Sequence, residues 1–502
     1  MTERLTALDA TFLELEQADD SAHMHIGGVM VFEPPRSGRP PSQQDLCGQL
    51  EARLDQLPRY RQRLSQPRTG GMAWPEWVHD PSFSITENIQ RAALPSPGGE
   101  RELAAWASNY YSQRLDRRRP LWEMVILEGL ADGRWALVSK THHCMVDGVG
   151  SVDVSHLMLD SQPDPDPDPG HEHAPRRRIT GPGMRAERDP AAGSEPPEPP
   201  SPSQPLAALT LMARAAGSVV PSESIAHAAQ MGVHGALHPR EALHSARAAV
   251  EMIVREELRG APHTSLNEPI GTRRRLEVMR MALADMREVG SALGGSVNDV
   301  ALTVTTGGLR ALLESRGEAL PAQGLRAMVP MNLRSVSEHL ALGNKISSLF
   351  IDLPVLEADA AQRLQETTQR SRALKSDGRQ AAGTSAVLEL AGLAPPVLHA
   401  GVARSLYAKR LFNLTVTNVP GPAHTLYCLG SRLTEIRPLV PLAAEHAVGV
   451  AILSYDGDAC FGVVADPDSV PDLDVMLDAM RATAVELLDA ARERAADALA
   501  GG

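Results

Sequence analysis

Two adjacent histidines, His142 and His143, stand in the stretch Thr141-His142-His143-Cys144-Met145-Val146-Asp147-Gly148. A neutral imidazole, with an ordinary pKa of roughly 6.5, can take a proton near neutral pH, so this pair offers general base catalysis. Acyl transfer to an alcohol is the natural use, because a hydroxyl is a poor nucleophile until its proton is removed. Nothing in the chain points to an acyl-enzyme nucleophile. No G-x-S-x-G elbow is present. Cys144 neighbours His143, but successive strand residues face opposite sides, which disfavours a Cys-His pair. A zinc site on His142, His143 and Asp147 lacks the HExxH spacing and a further strong ligand. Spacing alone leaves catalytic and structural roles for the histidines open. Asp147 is read as an ion pair or turn bond that shapes the loop. Gly148 is read as supplying positive φ or room for a ligand's close approach.

The elements that must position these residues are legible in outline. Met24 to Phe32 reads as a strand, and Glu51 to Leu64 as a helix interrupted at Pro58. Glu100 to Leu115 reads as a helix. Met124 to Leu127 and Arg134 to Lys140 read as a hairpin about Ala131-Asp132-Gly133, so the histidines end its second strand. Further on, Arg275 to Leu283, Leu325 to Leu333, Ile346 to Leu353 and Phe412 to Asn418 read as strands. Val448 to Ser454 and Cys460 to Val464 flank the hairpin signal Tyr455-Asp456-Gly457-Asp458. Helices are expected from Ser296 or Asn298 to Leu313, over Ala360 to Ser376 and over Pro471 to Arg494, with Ala495 to Gly502 frayed. The fold class is mixed α/β (α+β).

Four segments follow: 1–161, a mixed domain carrying the histidines; 162–205, a Pro-rich acidic linker; 206–262, a helical connection; and 263–502, a second mixed domain. Leu206 to Leu258 is partly amphipathic, which suits either packing on the body or lying on lipid. With 3% aromatic residues and a net charge of -13, the chain is not expected to bind nucleic acid. Cys47, Cys144, Cys428 and Cys460 form no CxxC pair, which fits free thiols in a reducing compartment. The first residues, MTERLTALDATFLELE, do not read as a signal peptide, and no window of about 18 residues reads as a spanning helix. The expected location is cytoplasmic, with peripheral attachment to the inner membrane or lipid droplets left open.

The stretch from His142 to Gly148 matches the HHxxxDG signature of coenzyme A-dependent acyltransferases. The motifs around it are more specific: Leu8-Asp9, His25-Ile26-Gly27-Gly28, Pro120-Leu121-Trp122-Glu123, Leu266-Asn267, Asn298-Asp299, Asn418-Val419-Pro420-Gly421-Pro422 and Ser454-Tyr455-Asp456-Gly457, in that order. With them, nearly the whole chain outside the Pro-rich insert resembles the bacterial wax ester synthase/diacylglycerol acyltransferase family. That resemblance implies two chloramphenicol-acetyltransferase-like domains with a tunnel at their interface. It implies His143 as the base, His142 as its support, and Asp147 as mainly structural. The partners it implies are acyl-CoA, as a substrate with no cofactor and no metal, and diacylglycerol or a long-chain alcohol. Asn298 becomes a candidate oxyanion donor, with Thr417 and Thr415 weaker ones, and Trp122 a candidate wall of the acyl pocket. Arg273 to Arg275 are read as either a contact for CoA phosphates or a solvated basic patch. Pro81 to Ile89 lacks the Asp and His that many relatives carry nearby. Two alternatives stay open: transfer to another lipid or polyketide alcohol, and a catalytically silent protein that binds lipid surfaces.

Overall fold

The computed structural model describes residues 3–65, 75–146, 158–163, 260–332, 346–377 and 411–500. Residues 1–165 and 250–502 belong to one unit; residues 166–249 form a second, which lies outside the described residues. The expected linker and helical connection therefore fall outside the described residues, apart from their ends.

Two six-stranded sheets organise the described unit. In the first, the order is Tyr427–Cys428, Ser431–Leu439, His25–Phe32, Trp135–His142, Trp122–Glu128 and Ile89–Ala93. All neighbours are antiparallel except the last pair. In the second, the order is Ile346–Leu353, Leu325–Asn332, Leu414–Val419, Val448–Tyr455, Asp458–Ala465 and Arg275–Ala282. Leu414–Val419 runs parallel to both its neighbours. Both expected hairpins form. The second turns through Asp456 (φ 45°) and Gly457 (φ 98°), the left-handed pair that a two-residue turn requires.

Two strands of the first sheet come from the C-terminal part of the chain, a connection that the sequence motifs did not reveal. The crossover is tied at Pro420-Gly421-Pro422 and Ser454 to Gly457. The Gly421 N–H donates to Ser454 Oγ at 3.2 Å, and the Asp456 N–H to the Pro422 carbonyl at 3.2 Å. The Tyr455 hydroxyl accepts from the Leu426 N–H at 2.9 Å and donates to the Leu433 carbonyl at 3.0 Å. These motifs brace the lent strands. Asn267 does similar work, accepting from Asn413 Nδ2 at 2.6 Å while its own amide reaches the Asn413 and Glu445 carbonyls.

The local expectations need three corrections. No helix spans Glu51 to Leu64. The helix there is Gln43–Glu51, capped by Ser42 and Asp45 in a reciprocal box. Beyond it, Pro58 lacks an amide donor and keeps Leu57 out of the helical region (φ -127°, ψ 63°), so only two 3-10 turns and the short strand Gln62–Leu64 follow. Second, the first helix, Ala7–Ala18, did not stand out as an element. Thr6 and Asp9 cap it by the same reciprocal box. Third, the closing helix extends past Arg494, from Leu473 to Ala500, through a run of good helix formers.

The glycines of His25-Ile26-Gly27-Gly28 have a packing reason. A Cβ on Gly27 would lie 2.0 Å from the Ser139 carbonyl oxygen, and one on Gly28 2.7 Å from that of Arg437. We expect Gly27→Ala to cost about 1–3 kcal/mol through forced strand separation. Exposed Gly48, whose added Cβ would meet nothing within 4 Å, should gain about 0.5–1 kcal/mol on conversion to Ala. Urea denaturation of both variants checks the contrast. Buried histidines set a second expectation. Burial lowers His25 to about 3 and His446 to about 4. Their depressed folded values make the unfolded chain the better proton binder below about 6.5. Stability should hold above that pH and fall as pH drops toward 4, and His446→Gln should flatten the slope in thermal melts.

Candidate active site

The pairing of His25–Phe32 with Trp135–His142 sets His25 opposite His142. The two rings meet edge to face, 5.8 Å between centroids. At the strand end the His142 N–H donates to the Leu121 carbonyl at 2.9 Å and the His143 N–H to the Met24 carbonyl at 2.8 Å. So Pro120-Leu121-Trp122-Glu123 and the residue before His25 position the two histidines by backbone bonds. The chain then turns, with the Met145 N–H reaching the His142 carbonyl at 2.9 Å.

The side chains of the tandem histidines have different surroundings. His142 is fully buried, and its Nδ1 accepts the Cys144 N–H at 3.1 Å. The ring proton of neutral His142 is thereby assigned to Nε2, which lies 3.3 Å from Glu16 Oε2. Half-buried His143 stacks face to face on Phe12, centroids 3.9 Å apart and planes 10° from parallel. Phe12 and Glu16 are one turn apart on the helix Ala7–Ala18. One helix face thus meets both histidines, an aromatic ring against one and a carboxylate against the other.

Glu16 is buried. Its Oε1 lies 3.3 Å from His25 Nε2, and its Oε2 accepts from Arg117 Nε and Nη2 at 3.0 and 2.8 Å. Burial pushes this carboxyl upward, but the facing His142 and His25 rings outweigh it and hold Glu16 below the usual carboxylate range. Arg117 also donates to the Leu13 carbonyl at 3.0 Å, and Arg114 to those of Glu16 and Asp19 at 3.0 and 2.7 Å. The two arginines thus anchor the C-terminal half of the helix. Lys140, two residues before His142 on its strand, is buried beside Tyr110, with its ammonium 4.1 Å from the ring centroid. Burial lowers its pKa.

Cys144 is fully enclosed, and burial, with the nearby Asp9 charge, raises its thiol well above the ordinary value. That suppresses the thiolate a nucleophile would need. Asp147 and Gly148 lie outside the described residues. Trp122 sits in the core of the first sheet, its Nε1 donating to the Tyr60 carbonyl at 2.9 Å. Asn298 lies in the first turn of the helix Val297–Ser315; the cap itself is Ser296, boxed with Asp299. Asn418 Nδ2 donates to Asn298 Oδ1 at 3.2 Å, which leaves the Asn298 amide hydrogens directed elsewhere. On the strand Leu414–Val419, Val416 enters the core while Thr415 and Thr417 share the opposite, half-buried face. Asn418 alternates with Thr417, so the Asn298–Asn418 pair and Thr417 lie on different faces.

Of the basic run, Arg274 is buried and tied to the carbonyls of Ser21, Gly271 and Arg273. Arg273 pairs with Asp468, and Arg275 with Glu277 and Asp474. Arg274 therefore departs from both expectations for the run. Among the described residues, no group of three or more His, Cys, Asp or Glu is arranged to hold a metal, and no helix is long and apolar enough to cross a membrane.

Sequence reasoning passed over Glu16 and Phe12 as site residues. Their only signal was an acid four residues after an aromatic on an apolar helix face. Glu14, two residues away, carries the same chemistry, and only the helix orientation separates the two.

Comparison with known proteins supplies the family. Residues 5–301 match the wax ester synthase/diacylglycerol acyltransferase catalytic domain, and residues 342–487 the C-terminal domain of the same family. A probable diacylglycerol O-acyltransferase of Mycobacterium tuberculosis is 31% identical over 470 residues, covering 93% of this chain and 92% of its own. A second from that organism is 32% identical over 480 residues, covering 93% and 95%. Among solved structures, the wax ester synthase/diacylglycerol acyltransferase of Marinobacter aquaeolei aligns over 97% of this chain and 99% of its own, at a TM-score of 0.64 and 26% identity. The first condensation domain of the CDA synthetase shares the fold at a TM-score of 0.53 and 14% identity, covering 97% of both chains. The two domain models in sequence, the full-length relatives and the shared two-sheet fold agree: the chain belongs to the wax ester synthase/diacylglycerol acyltransferase family.

Proposed function

We propose that His143 is the general base of this acyltransferase. The enzyme moves an acyl group from acyl-CoA to the hydroxyl of a diacylglycerol or a long-chain alcohol, yielding triacylglycerol or wax ester and free CoA. The observation that carries the reading is His143 itself: the second histidine of HHxxxDG, half-buried at a strand end and held flat against Phe12, in a chain matched by both family domain models.

The chemistry needs one proton shuttle. As the acceptor hydroxyl oxygen bonds to the thioester carbonyl carbon, its proton passes to the imidazole of His143. The tetrahedral adduct then collapses, the carbon–sulfur bond breaks, and the departing CoA thiolate takes the proton from the imidazolium. Base catalysis of this kind supplies roughly 10²–10⁴ in rate. The adduct's oxyanion needs a donor. We assign Asn298 to that task, because Asn418 engages its oxygen and so orients its amide hydrogens away. Thr417, on the other face of its strand, is the weaker candidate, and Trp122 supports the acyl side through the core. In this reading, a tunnel between the two halves leads acyl chains to His143, while Asp147 and Gly148 shape the loop after it.

We expect His143→Ala to lower release of free CoA from palmitoyl-CoA by about 10²–10⁴, with either diacylglycerol or hexadecanol as acceptor. Retained activity would remove His143 from the reaction. Wild-type release with only other lipid or polyketide alcohols would redirect the acceptor, and no release with any acceptor would leave a lipid-surface binding protein. Cys144→Ala should keep most of its activity, and the native enzyme should survive iodoacetamide, since the thiol is enclosed and protonated. Formation of an acyl-cysteine adduct, detected by intact mass, would contradict direct transfer.

A further inference from the structure

We propose that Glu16 is a positioning residue for the acyl transfer: with Arg117 behind it, its carboxylate holds His142 as the Nε2–H tautomer and so fixes the turn that presents His143. The proposal rests on His143 as the base.

The geometry forms a chain of contacts. Arg117 grips Glu16 Oε2 through two nitrogens, at 3.0 and 2.8 Å. That oxygen lies 3.3 Å from His142 Nε2. On the other side of the ring, His142 Nδ1 accepts the N–H of Cys144, the residue next to His143. The opposite tautomer would set an Nδ1–H against the Cys144 N–H and a lone pair against the carboxylate. Both contacts would turn repulsive, and a buried amide would lose its acceptor. The Glu16–His142 contact is not an aligned hydrogen bond, since His142 Nε2 has none; it acts as charge on dipole in a dry setting, where such terms are strong.

The charged and titratable groups facing Glu16 come from three elements: His142 on its strand, His25 on the paired strand, and Arg117 after the helix Glu100–Tyr111. Phe12, one turn earlier on the same helix, stacks on His143. Helix Ala7–Ala18 therefore fixes the base from two sides, through its ring and through its backbone neighbour. A purely structural ion pair would be served equally well by Glu16 facing Arg117 alone; the approach to His142 ties it to the base.

The test compares Glu16→Met, which keeps the volume but offers no acceptor, with Glu16→Gln, which keeps an oxygen for Arg117 and His142. His143→Ala and Leu487→Ala, a buried position in the closing helix, serve as controls. We expect kcat to fall about a hundredfold in Glu16→Met and about tenfold in Glu16→Gln, part of the roughly 10²–10⁴ that a base supplies. KM for acyl-CoA should stay within about twofold, since the lost term acts on the base rather than on binding. Side-chain 15N spectra, with His142 assigned by its own substitution, should show Nε2–H in the wild type and loss of that single tautomer in Glu16→Met. Wild-type kcat in Glu16→Gln and Glu16→Met, or an unchanged tautomer, overturns the proposal. So does an equal kcat loss in Leu487→Ala at matched melting temperature. Should Glu16→Met fail to fold, the Glu16→Gln readings decide alone. An active His143→Ala would instead reject the base, whatever the Glu16 variants do.

Discussion

The register between His25–Phe32 and Trp135–His142 is the constraint on which the site depends. It sets His25 against His142 and Phe32 against Trp135. Side chains alternate along each strand, so a slip of one residue would send every one of them to the other face. His142 and Lys140 would then enter the aromatic core that holds Trp122 and Trp135, and a neighbour of His142 in the chain would take its place beside Glu16. Phe32 and Trp135, stacked at 4.4 Å and fully buried, oppose that slip by the large apolar area they would expose. The missing side chains at Gly27 and Gly28 act in the same direction, since only there can the Ser139 and Arg437 carbonyls approach so closely.

Around that register the chain folds back on itself. The C-terminal part supplies Ser431–Leu439 as the neighbour of His25–Phe32, and the Pro438 carbonyl oxygen would sit 1.9 Å from a Cβ on Gly462 of the second sheet. The same strand therefore pairs within one sheet and packs tightly on the other. Many of the motifs outside HHxxxDG serve this interlock. Asn267 and Asn413 staple loops, Tyr455 bridges the Leu426 amide and the Leu433 carbonyl, and Gly421 lies under Ser454. Their chemistry is hydrogen bonding of buried backbone, which would otherwise be left without partners.

Burying charge beside the histidines is costly unless it is compensated. The arrangement answers with complementarity: a carboxylate with two arginine nitrogens, two imidazoles around it, and an ammonium over a tyrosine ring. In such a setting polar groups hold fixed orientations, which suits a base that must meet a hydroxyl in one geometry. The enclosed Cys144 follows the opposite logic, with burial keeping the thiol neutral and inert.

Much was legible in the sequence because its signals are local. The hairpin before the histidines, the Asp-Gly turn, the Ser296 cap and most strands follow from periodicity and turn chemistry, which act over a few residues. HHxxxDG and the ordered motifs carried the family, and with it the reaction. Pro58 was visible too, but the helix had already ended at Glu51, and the non-helical Leu57 before the proline kept a new one from forming. Other features lay beyond local signals. Glu16 and Glu14 are chemically alike, and only the docking of the first helix turns one onto His142. Asn298 reads equally well as cap or donor until Ser296 takes the cap and Asn418 takes its oxygen. Arg274 reads as a surface charge until three carbonyls from two loops enclose it. By itself, then, the sequence determined most of the elements and the family, and singled out the histidine pair, since those depend on residue type and short spacing. Only the tertiary structure decided which side chains surround the histidines, because those contacts join segments more than a hundred residues apart, and their selection depends on sheet register and helix orientation.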